Sequence, residues 1–468
     1  MRSTSASTDD LLSEGQRHFR RGDYEAAEVA ARQILRTSPD HISAALLAAQ
    51  SAFELEDADR ACDYISAIPM GEECTTAFFA FAADLCHLHV CRFSKAESLY
   101  LAWLQKTPDD VQALEGIAKL YAVCGRRFDA IPYILKLTQL GHASDLLVVL
   151  ARESGAISDP VPLRKAAAAE PDAAAPLLGL ARHADSVHQL AEAIRLARQA
   201  VQLQPDLMVA HAELGKYLWQ QHSAEELQAW ETALPPLSHG NAEIQRIRGL
   251  LLVEQGRRVE ALEAFLSSAQ TAPDSRETNF QIAQLLFAAG DAPAAKLFVK
   301  RMDQIQTLQE MQDRVIFSGH KASEENLMDL VEAYEAAGRI IEAYGWAQLS
   351  LHTYPNSGPL SRLRSQLAQR SAHLPLQLVQ GDLDLAFSAA IGKYRAALPD
   401  QLPARVATAE TKSPPLGQVS FVEHSDDVGL SFRFINGSDQ EIRVACLNTP
   451  AVVSGRLIWI TILIQTSC

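Results

Sequence analysis

Cysteine and histidine residues cluster in the stretch CHLHVC, at Cys86, His87, His89 and Cys91. Thiolate and imidazole groups bind zinc in proteins, so this cluster could form a metal site if the backbone brought all four groups together. The surrounding apolar residues predict a helix, on which His87 and Cys91 share one face and the other pair lies on a different one. Because one helix cannot direct all four at one ion, we interpret the stretch as a buried apolar helix and predict no metal and no cofactor.

No other combination of residues suggests a catalytic site. The sequence contains no glycine-rich phosphate loop, no GxSxG and no HExxH. Acidic pairs such as Glu225–Glu226 and Asp109–Asp110 fall where helices are predicted to begin, and carboxylates there interact favourably with the helix dipole. We therefore predict that the protein is not an enzyme.

The composition excludes some classes of partner. The chain has 468 residues, 48% of them hydrophobic, which is long enough for several domains or one extended array. Acidic residues outnumber basic ones by 57 to 42, and the formal net charge is −15. Because nucleic-acid binding needs a basic surface, we predict that nucleic acid is not a partner.

The cysteines and the amino terminus bear on localisation. The seven cysteines are scattered, and five of them lie in apolar helical segments, which favours buried free thiols and a reducing compartment. The opening MRSTSASTDDLLSEGQ lacks the basic patch and apolar core of a secretory signal, and no stretch reaches the roughly 18 apolar residues that a membrane span needs. We predict a cytoplasmic protein without a membrane span. A start codon upstream would leave export open.

Prolines recur at regular intervals over the first three quarters of the chain. They close helix-like segments at Pro39, Pro108, Pro171, Pro205, Pro273 and Pro355. Pro171 and Pro205 are 34 residues apart, and Pro205 and Pro273 are separated by twice that distance. Because proline cannot continue a helix, each one indicates the end of a repeating helical unit.

The segment before Pro205 shows the pattern of one unit. A first helix has an apolar face at the spacing i, i+3, i+4 and i+7, formed by Leu177, Leu180, Ala181 and Ala184. A second helix has small side chains on one face, at Ala193, Ala197 and Ala200. Gly125 and Gly338 stand between the two helices in other copies, where a positive φ is often required.

This pattern resembles the tetratricopeptide repeat over residues 8–357. We place units at 8–41, 42–76, 77–110, 111–144, 174–207, 208–241, 242–275, 276–309 and 324–357, with a shortened unit at 145–173 and an insertion at 310–323. The resemblance implies an all-α, right-handed superhelical solenoid of about nine to ten helix hairpins. In such an open array each unit buries its apolar face only against its neighbours, and residues 1–7 are expected to be disordered.

The resemblance also implies a binding surface, because the first helices of such arrays line a concave groove that holds a peptide or a protein. The repeat register places six residues of types suited to partner binding in the middle of this groove: Arg182, Lys216, Trp219, Arg246, Phe280 and Phe287. Arginine and aromatic side chains anchor partners in interfaces, although the same positions can be ordinary solvated or packing positions. A carboxylate clamp of paired basic and asparagine residues is not complete here.

The helical pattern ends after residue 357. Residues 358–397 are predicted to form a capping helix and a connector, and the proline-rich residues 398–418 a linker. Residues 419–445 contain β-forming residues and the hairpin turn signal Asn436-Gly437. Phe421, Ser425, Gly429-Leu430 and Phe432, followed by that turn, resemble the opening of the FG-GAP propeller domain of the UnbV/ASPIC family, which includes cartilage acidic protein. The resemblance implies a truncated β segment, because the family's calcium-binding aspartate loop is missing.

Residues 446–468 end in the apolar stretch SGRLIWITILIQTSC. One shifted reading frame of LIWITILIQT permits Leu-Asp-Tyr-Asp-Phe-Asp-Ser-Asp, and the Trp459-Ile460 codons force one of these aspartates. We interpret the tail as an out-of-frame or non-native sequence; the alternative is a genuine edge strand.

These observations predict a non-catalytic scaffold that binds a protein or peptide in the concave groove. Two other classes stay open: a targeting or accessory module of a calcium-binding FG-GAP propeller protein, and an accessory subunit of an enzyme complex. The oligomeric state is not predicted.

Overall fold

The computed structural model describes residues 7–69, 71, 73–151, 159–317, 322–396, 452–453 and 456–457. The predicted linker at 398–418, the β segment at 419–445 and most of the tail at 446–468 lie outside these residues. Residues 1–404 form one compact unit, and residues 405–468 belong to a second.

The first unit is a succession of helix hairpins, which confirms the predicted all-α solenoid. The first helices of the hairpins are α1 (Thr8–Arg20), α3 (Ile42–Glu54), α5 (Thr76–Asp84), α7 (Val111–Val123), α11 (Ala174–Ser186), α13 (Met208–Gln220), α15 (Ala242–Glu254), α17 (Arg276–Ala288) and α19 (Glu324–Ala336). The second helices are α2 (Tyr24–Thr37), α4 (Ala58–Ser66), α6 (Phe93–Lys106), α8 (Arg127–Gln139), α12 (Leu190–Leu203), α14 (Ala224–Thr232), α16 (Arg258–Thr271), α18 (Ala292–Gln312) and α20 (Ile340–Thr353).

Several shorter or additional helices accompany the hairpins. These are α9 (Leu147–Ala151), α10 (Val161–Ala169), α21 (Gly358–Ser371), α22 (Asp382–Ala396), π-helical turns at Leu85–His89 and Asp313–Phe317, and a 3-10 turn at Pro236–Gly240. α18 is 21 residues long and continues into the second π-helical turn, so its carboxyl-terminal half extends beyond its own hairpin.

One residue in each hairpin turn has a left-handed backbone. Among the described residues these are Gly22, Glu56, Cys91, Gly125, His188, His222, Gly256, Gly290 and Gly338. The interval between these residues is 34 or 35 wherever two hairpins follow each other directly, and it is longer where additional chain separates them, from Gly125 to His188 and from Gly290 to Gly338. The glycines predicted at two of these turns, Gly125 and Gly338, are confirmed with φ of 71° at both. Side chains other than glycine adopt this conformation at a cost of roughly 1–2 kcal/mol, so packing overrides the local backbone preference in the other turns.

A small side chain five residues after the left-handed residue lets the two helices approach closely in eight of the nine described hairpins. This position is fully buried alanine in all hairpins but one, at Ala27, Ala61, Ala96, Ala130, Ala193, Ala261, Ala295 and Ala343; the remaining hairpin has Leu227 there. The alanine-rich composition of the repeats is therefore a requirement of hairpin packing.

The apolar core consists of one large and several smaller clusters. The large one runs from Ala45 to Ala166 and also includes residues between Leu308 and Leu378. A second cluster spans Ala174–Leu251, and a third joins Leu250–Phe298 to Phe387 and Ile391 of α22. The last helical unit thus shares its core with units that precede it by about 200 residues, whereas the middle units have cores of their own.

The expectation that each unit packs only against its neighbours is therefore wrong at one place. α20 packs directly on α8 and α9: a Cβ added to Gly345 would lie 2.7 Å from both Leu147 Cδ1 and Thr138 Cγ2. Gln139 Nε2 donates hydrogen bonds to the carbonyl oxygens of Ser371 (2.8 Å) and Leu374 (2.9 Å). α20 and the chain segment that follows it thus pack on α8 and α9. We call this packing the closing contact.

A buried group of charged residues lies beside the closing contact. This arginine cluster consists of Arg127, Asp274, Arg301, Arg339 and Glu342, none of which is more than 8% exposed. Arg339 forms a bidentate pair with Glu342, at 2.6 Å from both carboxylate oxygens, and also donates to the carbonyl of Leu150 at 2.9 Å. The cluster therefore joins the α19–α20 turn to the end of α9 through polar contacts.

The second unit is described only at one antiparallel pair of two-residue strands, β1 (Val452–Val453) and β2 (Arg456–Leu457). Val452 pairs with Leu457 and Val453 with Arg456. Among all described residues, no helix is both long and apolar enough to cross a membrane.

Candidate partner-binding surface

The predicted groove residues lie on four successive first helices, α11, α13, α15 and α17. Arg182 and Lys216 are 34 residues apart and occupy the same position in their units, as do Arg246 and Phe280. Trp219 and Phe287 are two units apart at another shared position. The repeat therefore carries the six residues along one side of the middle units.

Three of the six residues meet in one cleft. Arg182, Lys216 and Arg246 line a cleft of about 140 Å3 between the α7–α8 turn and helices α13 and α15. The other residues that line it are Gly125, Arg127, Phe128, Val209, Ala212, Glu213, Asn241 and Glu243. The structure thus gathers the predicted cations and surrounds them with carboxylates and one aromatic ring.

Each of the three cations pairs with carboxylates, in most cases across two helices. Arg182 Nη1 lies 3.1 Å from Glu213 Oε1 and also donates to the carbonyl of Gly125. Lys216 Nζ lies 2.8 Å from Asp185 Oδ2 and 3.4 Å from Glu213 Oε2. These pairs connect α11 with α13, so the two cations contribute to the packing of adjacent units.

Arg246 extends this row of ion pairs towards α17. It forms two hydrogen bonds to Glu243 Oε2, at 2.9 and 3.0 Å, and its Nη1 lies 2.5 Å from Glu277 Oε2. The Glu277 side chain is 50% exposed, whereas that of Arg246 is 12% exposed. Of the two charged groups in this pair, the carboxylate of Glu277 is therefore the more exposed to solvent and the more accessible to a partner.

Glu213 is the central carboxylate of the cleft. Burial alone would raise the pKa of its carboxyl group, but the positive charges of Arg182 and Lys216 more than offset this and hold the pKa below its usual range. The carboxylate is therefore ionised at neutral pH and fixes the positions of both cations.

The aromatic residues differ in exposure. Phe280 and Phe287 lie two helical turns apart on α17 and are 37% and 48% exposed. Trp219 is half-buried and packs against the two apolar cores on either side of it. The phenylalanines offer an accessible apolar surface next to the ion pairs, while Trp219 contributes chiefly to packing.

The sequence did not identify several residues of this surface. Phe128, 37% exposed, lines the cleft from the start of α8, a second helix, and the repeat register assigns only first helices to the groove. The acidic partners Asp185, Glu213, Glu243 and Glu277 also went unnoticed. The signal available for them was the recurrence of carboxylates near the basic positions of each first helix.

The CHLHVC stretch differs from the helix predicted for it. The α-helix gives way to a π-helical turn at Leu85–His89, and Cys91 has a left-handed backbone with φ of 55°, so His87 and Cys91 are not one helical turn apart. Cys86 contacts Cys62, His87 Nδ1 lies 3.3 Å from the Tyr100 hydroxyl, and His89 packs on Phe53. Burial lowers the pKa of His87 to about 4.

Within the residues that the structure describes, no group of three or more histidine, cysteine, aspartate or glutamate side chains is arranged to hold a metal ion.

Comparison with known proteins gives distant structural likenesses. No family model matches the sequence, and no curated protein matches it. One similar solved structure is the APC/C hetero-tetramer Cut9-Hcn1. The two structures have a TM-score of 0.31 and 14% sequence identity, and the match covers 84% of this chain and 89% of that chain.

Two other solved structures have similar scores. A tetratricopeptide repeat protein from Parabacteroides merdae has a TM-score of 0.24 and 14% identity, over 59% of this chain and 97% of that one. The human IFIT1 dimer with PPP-AAAA has a TM-score of 0.31 and 13% identity, over 84% of this chain and 92% of that one. Structural similarity at this level supports no conclusion about function. The fold assignment rests on the hairpin geometry described above.

Proposed function

We propose that the protein is a non-catalytic scaffold that binds a peptide segment of a partner protein on the inner face of α11–α17. The observation that carries the proposal is the pair Phe280 and Phe287, which remain exposed on one helix beside the row of ion pairs. Aromatic side chains are enriched at the centre of protein interfaces, and polar groups form the rim around them.

The charges of the surface favour one kind of segment. Within the cleft the cations are already paired with carboxylates, while Glu277 is half exposed beside Phe280. The chain as a whole carries a net charge of −15, which favours association with basic partners. The proposed segment therefore has two apolar side chains that contact Phe280 and Phe287 and a neighbouring lysine or arginine that reaches Glu277.

A displayed peptide library selected on the full chain tests this proposal. Peptides that bind should contain apolar residues flanked by a basic residue. The double variant Phe280→Ala/Phe287→Ala should weaken the binding of a selected peptide at least about tenfold, because aromatic anchors contribute most of the energy of such interfaces. Fluorescence anisotropy with the labelled peptide measures the change in Kd.

Two controls separate this outcome from unfolding or non-specific adhesion. Leu237→Ala removes another exposed apolar side chain, 73% exposed in the 3-10 turn at Pro236–Gly240, and should leave the Kd unchanged. Glu277→Gln should weaken binding several-fold and reduce its dependence on salt. Equal binding to the wild type and to the double phenylalanine variant would contradict the proposed surface.

A second candidate function follows from the sequence of residues 421–437, which resembles the opening of the FG-GAP propeller of the UnbV/ASPIC family. In that case the helical array is a targeting or accessory module of a calcium-binding propeller protein, and the tail at 446–468 is a shifted reading frame. The nucleotide sequence past Val444 tests this idea. It is wrong if no reading frame encodes an aspartate-rich loop after this point.

A further inference from the structure

Two buried cysteines meet between the second and third helix hairpins. Cys62 lies on α4 and Cys86 in the π-helical turn at Leu85–His89, and both side chains are fully buried. Their sulfur atoms are 3.5 Å apart, a distance at which one thiol can donate a hydrogen bond to the other. All five cysteines in the described part of the chain are free thiols.

The backbone at Cys86 departs from the repeat in a way that no other hairpin turn shares. The left-handed residues Glu56 and Cys91 are separated by 35 residues, whereas the five other intervals between directly adjacent hairpins in the described part of the chain are all 34. The π-helical turn accommodates the additional residue, with Val90 N donating to the carbonyl of Leu85 at 3.1 Å. Single π-helical turns occur frequently at functional sites, because they displace a side chain from the α-helical register. Here the displaced segment carries Cys86.

The surroundings of Cys62 favour its reactive form. The Cys86 thiol, as hydrogen-bond partner, lowers the pKa of Cys62 to about 6, against the opposing effect of burial and with the help of the Arg92 guanidinium. Arg92 is held at the surface of α4 by Asp59 (3.7 Å) and Asp63 (3.5 Å). A thiolate is the nucleophile in thiol–disulfide exchange, so Cys62 is suited to attack and Cys86 to resolve.

We propose that Cys62 and Cys86 form a reversible disulfide that links α4 to the π-helical turn. The oxidant is a small-molecule disulfide such as oxidised glutathione. The Cys62 thiolate attacks one sulfur of the oxidant and releases one glutathione thiolate, which takes up a proton. The Cys86 thiol then loses its proton and attacks the Cys62 sulfur of the mixed disulfide, which releases the second glutathione. The two cysteines lose two electrons, and one oxidised glutathione becomes two reduced ones.

The bond requires a limited movement. The two sulfur atoms must approach from 3.5 Å to about 2.05 Å, a shift that side-chain rotation and the adjacent π-helical turn can supply. Because both thiols are buried, the oxidant reaches them only when this region opens locally. Oxidation is therefore expected to be slower than that of an exposed thiol pair. The bond would close a loop between residues 24 positions apart in the sequence and would tie two successive hairpins together.

The experiment uses the full chain incubated to equilibrium in glutathione buffers of graded redox ratio. Free thiols are then blocked with N-ethylmaleimide, and the peptides are mapped by mass spectrometry without reduction. We expect a cross-linked pair of peptides that contain Cys62 and Cys86, a loss of two free thiols per chain, and full reversal by dithiothreitol. The oxidised protein should also have a higher thermal unfolding midpoint than the reduced protein.

Matched variants assign the effect to this pair. Cys86→Ser should abolish both the cross-link and the upward shift of the midpoint, whereas Cys124→Ser, which removes another buried thiol, should retain both. If a serine variant does not fold, the peptide map of the wild-type chain still decides the question. The proposal is overturned if Cys62 and Cys86 remain individually alkylated at every redox ratio, or if either one is cross-linked to a different cysteine instead.

Discussion

The middle units and the closing contact use the same repeat in two different ways. In the middle units, basic residues of the first helices pair with carboxylates at the edge of a cleft, and Glu277 stays half exposed. In the arginine cluster beside the closing contact, Arg339 and Glu342 pair in surroundings that exclude water, with exposures of 3% and 0%. Ion pairs of the same residue types therefore differ in solvent access between the two regions: one pair keeps a half-exposed carboxylate, whereas the other buries both partners.

Two buried carboxylates, one from each region, differ in how far neighbouring cations offset the effect of burial on their pKa. Two cations hold the pKa of Glu213 below its usual range, as described above. Burial raises the pKa of Glu342, because the loss of hydration outweighs the attraction of Arg339. Burying both charges of such a pair costs desolvation free energy. Removing only one partner destabilises the folded state still more, because the other charge stays buried without a partner.

The largest expected effect comes from breaking the buried pair. Arg339→Met should lower the free energy of unfolding by about 3–5 kcal/mol, because Glu342 would remain as a buried carboxylate without its bidentate partner. Arg246→Met in the middle units should cost about 1 kcal/mol or less, since water can solvate the half-exposed Glu277. Urea unfolding followed by circular dichroism measures both losses. Similar losses in the two variants would remove the distinction between the regions.

An intermediate effect is expected where α20 touches α8. Gly345→Ala should destabilise the protein by about 1–3 kcal/mol through overpacking, because the added methyl group would meet Leu147 and Thr138. Gly392→Ala in α22 is the matched control, since nothing lies within 4 Å of its added methyl group. Its better helix propensity should raise stability by up to about 1 kcal/mol. Thermal unfolding of the two variants tests the closing contact, and a gain in both would argue against it.

The pH dependence of stability should change in opposite directions in the two regions. The stability that Glu213 contributes is present above the unfolded-state pKa of about 4.5 and is lost as the pH falls through its lowered folded-state pKa, so Glu213→Gln should reduce the loss of stability in acid. Glu342 binds its proton more readily in the folded state, so its contribution to stability falls as the pH rises through the interval from about 4.5 to its raised folded-state pKa.

Glu342→Gln should therefore make the loss of stability on acidification steeper. Each change in slope is limited to about 1.4 kcal/mol per pH unit, which corresponds to one proton. Urea midpoints measured from about pH 7 to pH 3 give both slopes. A change of the same sign in the two variants would show that the carboxylates do not differ as described.

Effects of about 1–2 kcal/mol or less are expected in the hairpin turns. His222 has a left-handed backbone with φ of 57°, and His222→Gly should raise stability by less than about 1 kcal/mol because the relief of strain is partly offset by the greater entropy of the unfolded chain. Gly256→Ala, in the next hairpin turn, should lower stability by about 1–2 kcal/mol. Denaturation midpoints of this pair check the sign, and a loss in both variants would mean that the His222 side chain makes contacts that matter more than its backbone strain.

The periodic features of the fold could be predicted from the sequence because they depend on residues close in the chain. The spacing of small residues such as Ala193 and the turn glycines Gly125 and Gly338 reflect contacts within one hairpin. Left-handed turns at His188 and His222 could not be predicted in this way, because tertiary packing imposes them against local preference. The contact of Gly345 with Leu147 has no local signal at all, since the two residues belong to units with separate patterns.

The candidate surface was predictable to a similar degree. The repeat register identified Arg182, Lys216 and Arg246, and the structure brings these three into one cleft. The repeat register could not indicate that Glu213 and neighbouring carboxylates form ion pairs with these cations, because such pairing depends on side-chain geometry between units. Phe128 was missed because it enters the cleft from a second helix.

The closing contact also has a consequence for the order in which the molecule folds. The hairpins are built from residues a few tens of positions apart, so each can form early from its own segment of chain. The hydrogen bond from Gln139 to Leu374 joins residues 235 positions apart, and the entropy lost in closing so long a loop must be overcome before that bond can contribute. Refolding should therefore produce most of the helix first and the junction of α20 with α8 last. Until that step is complete, the apolar faces of α8 and α20 remain open to other chains.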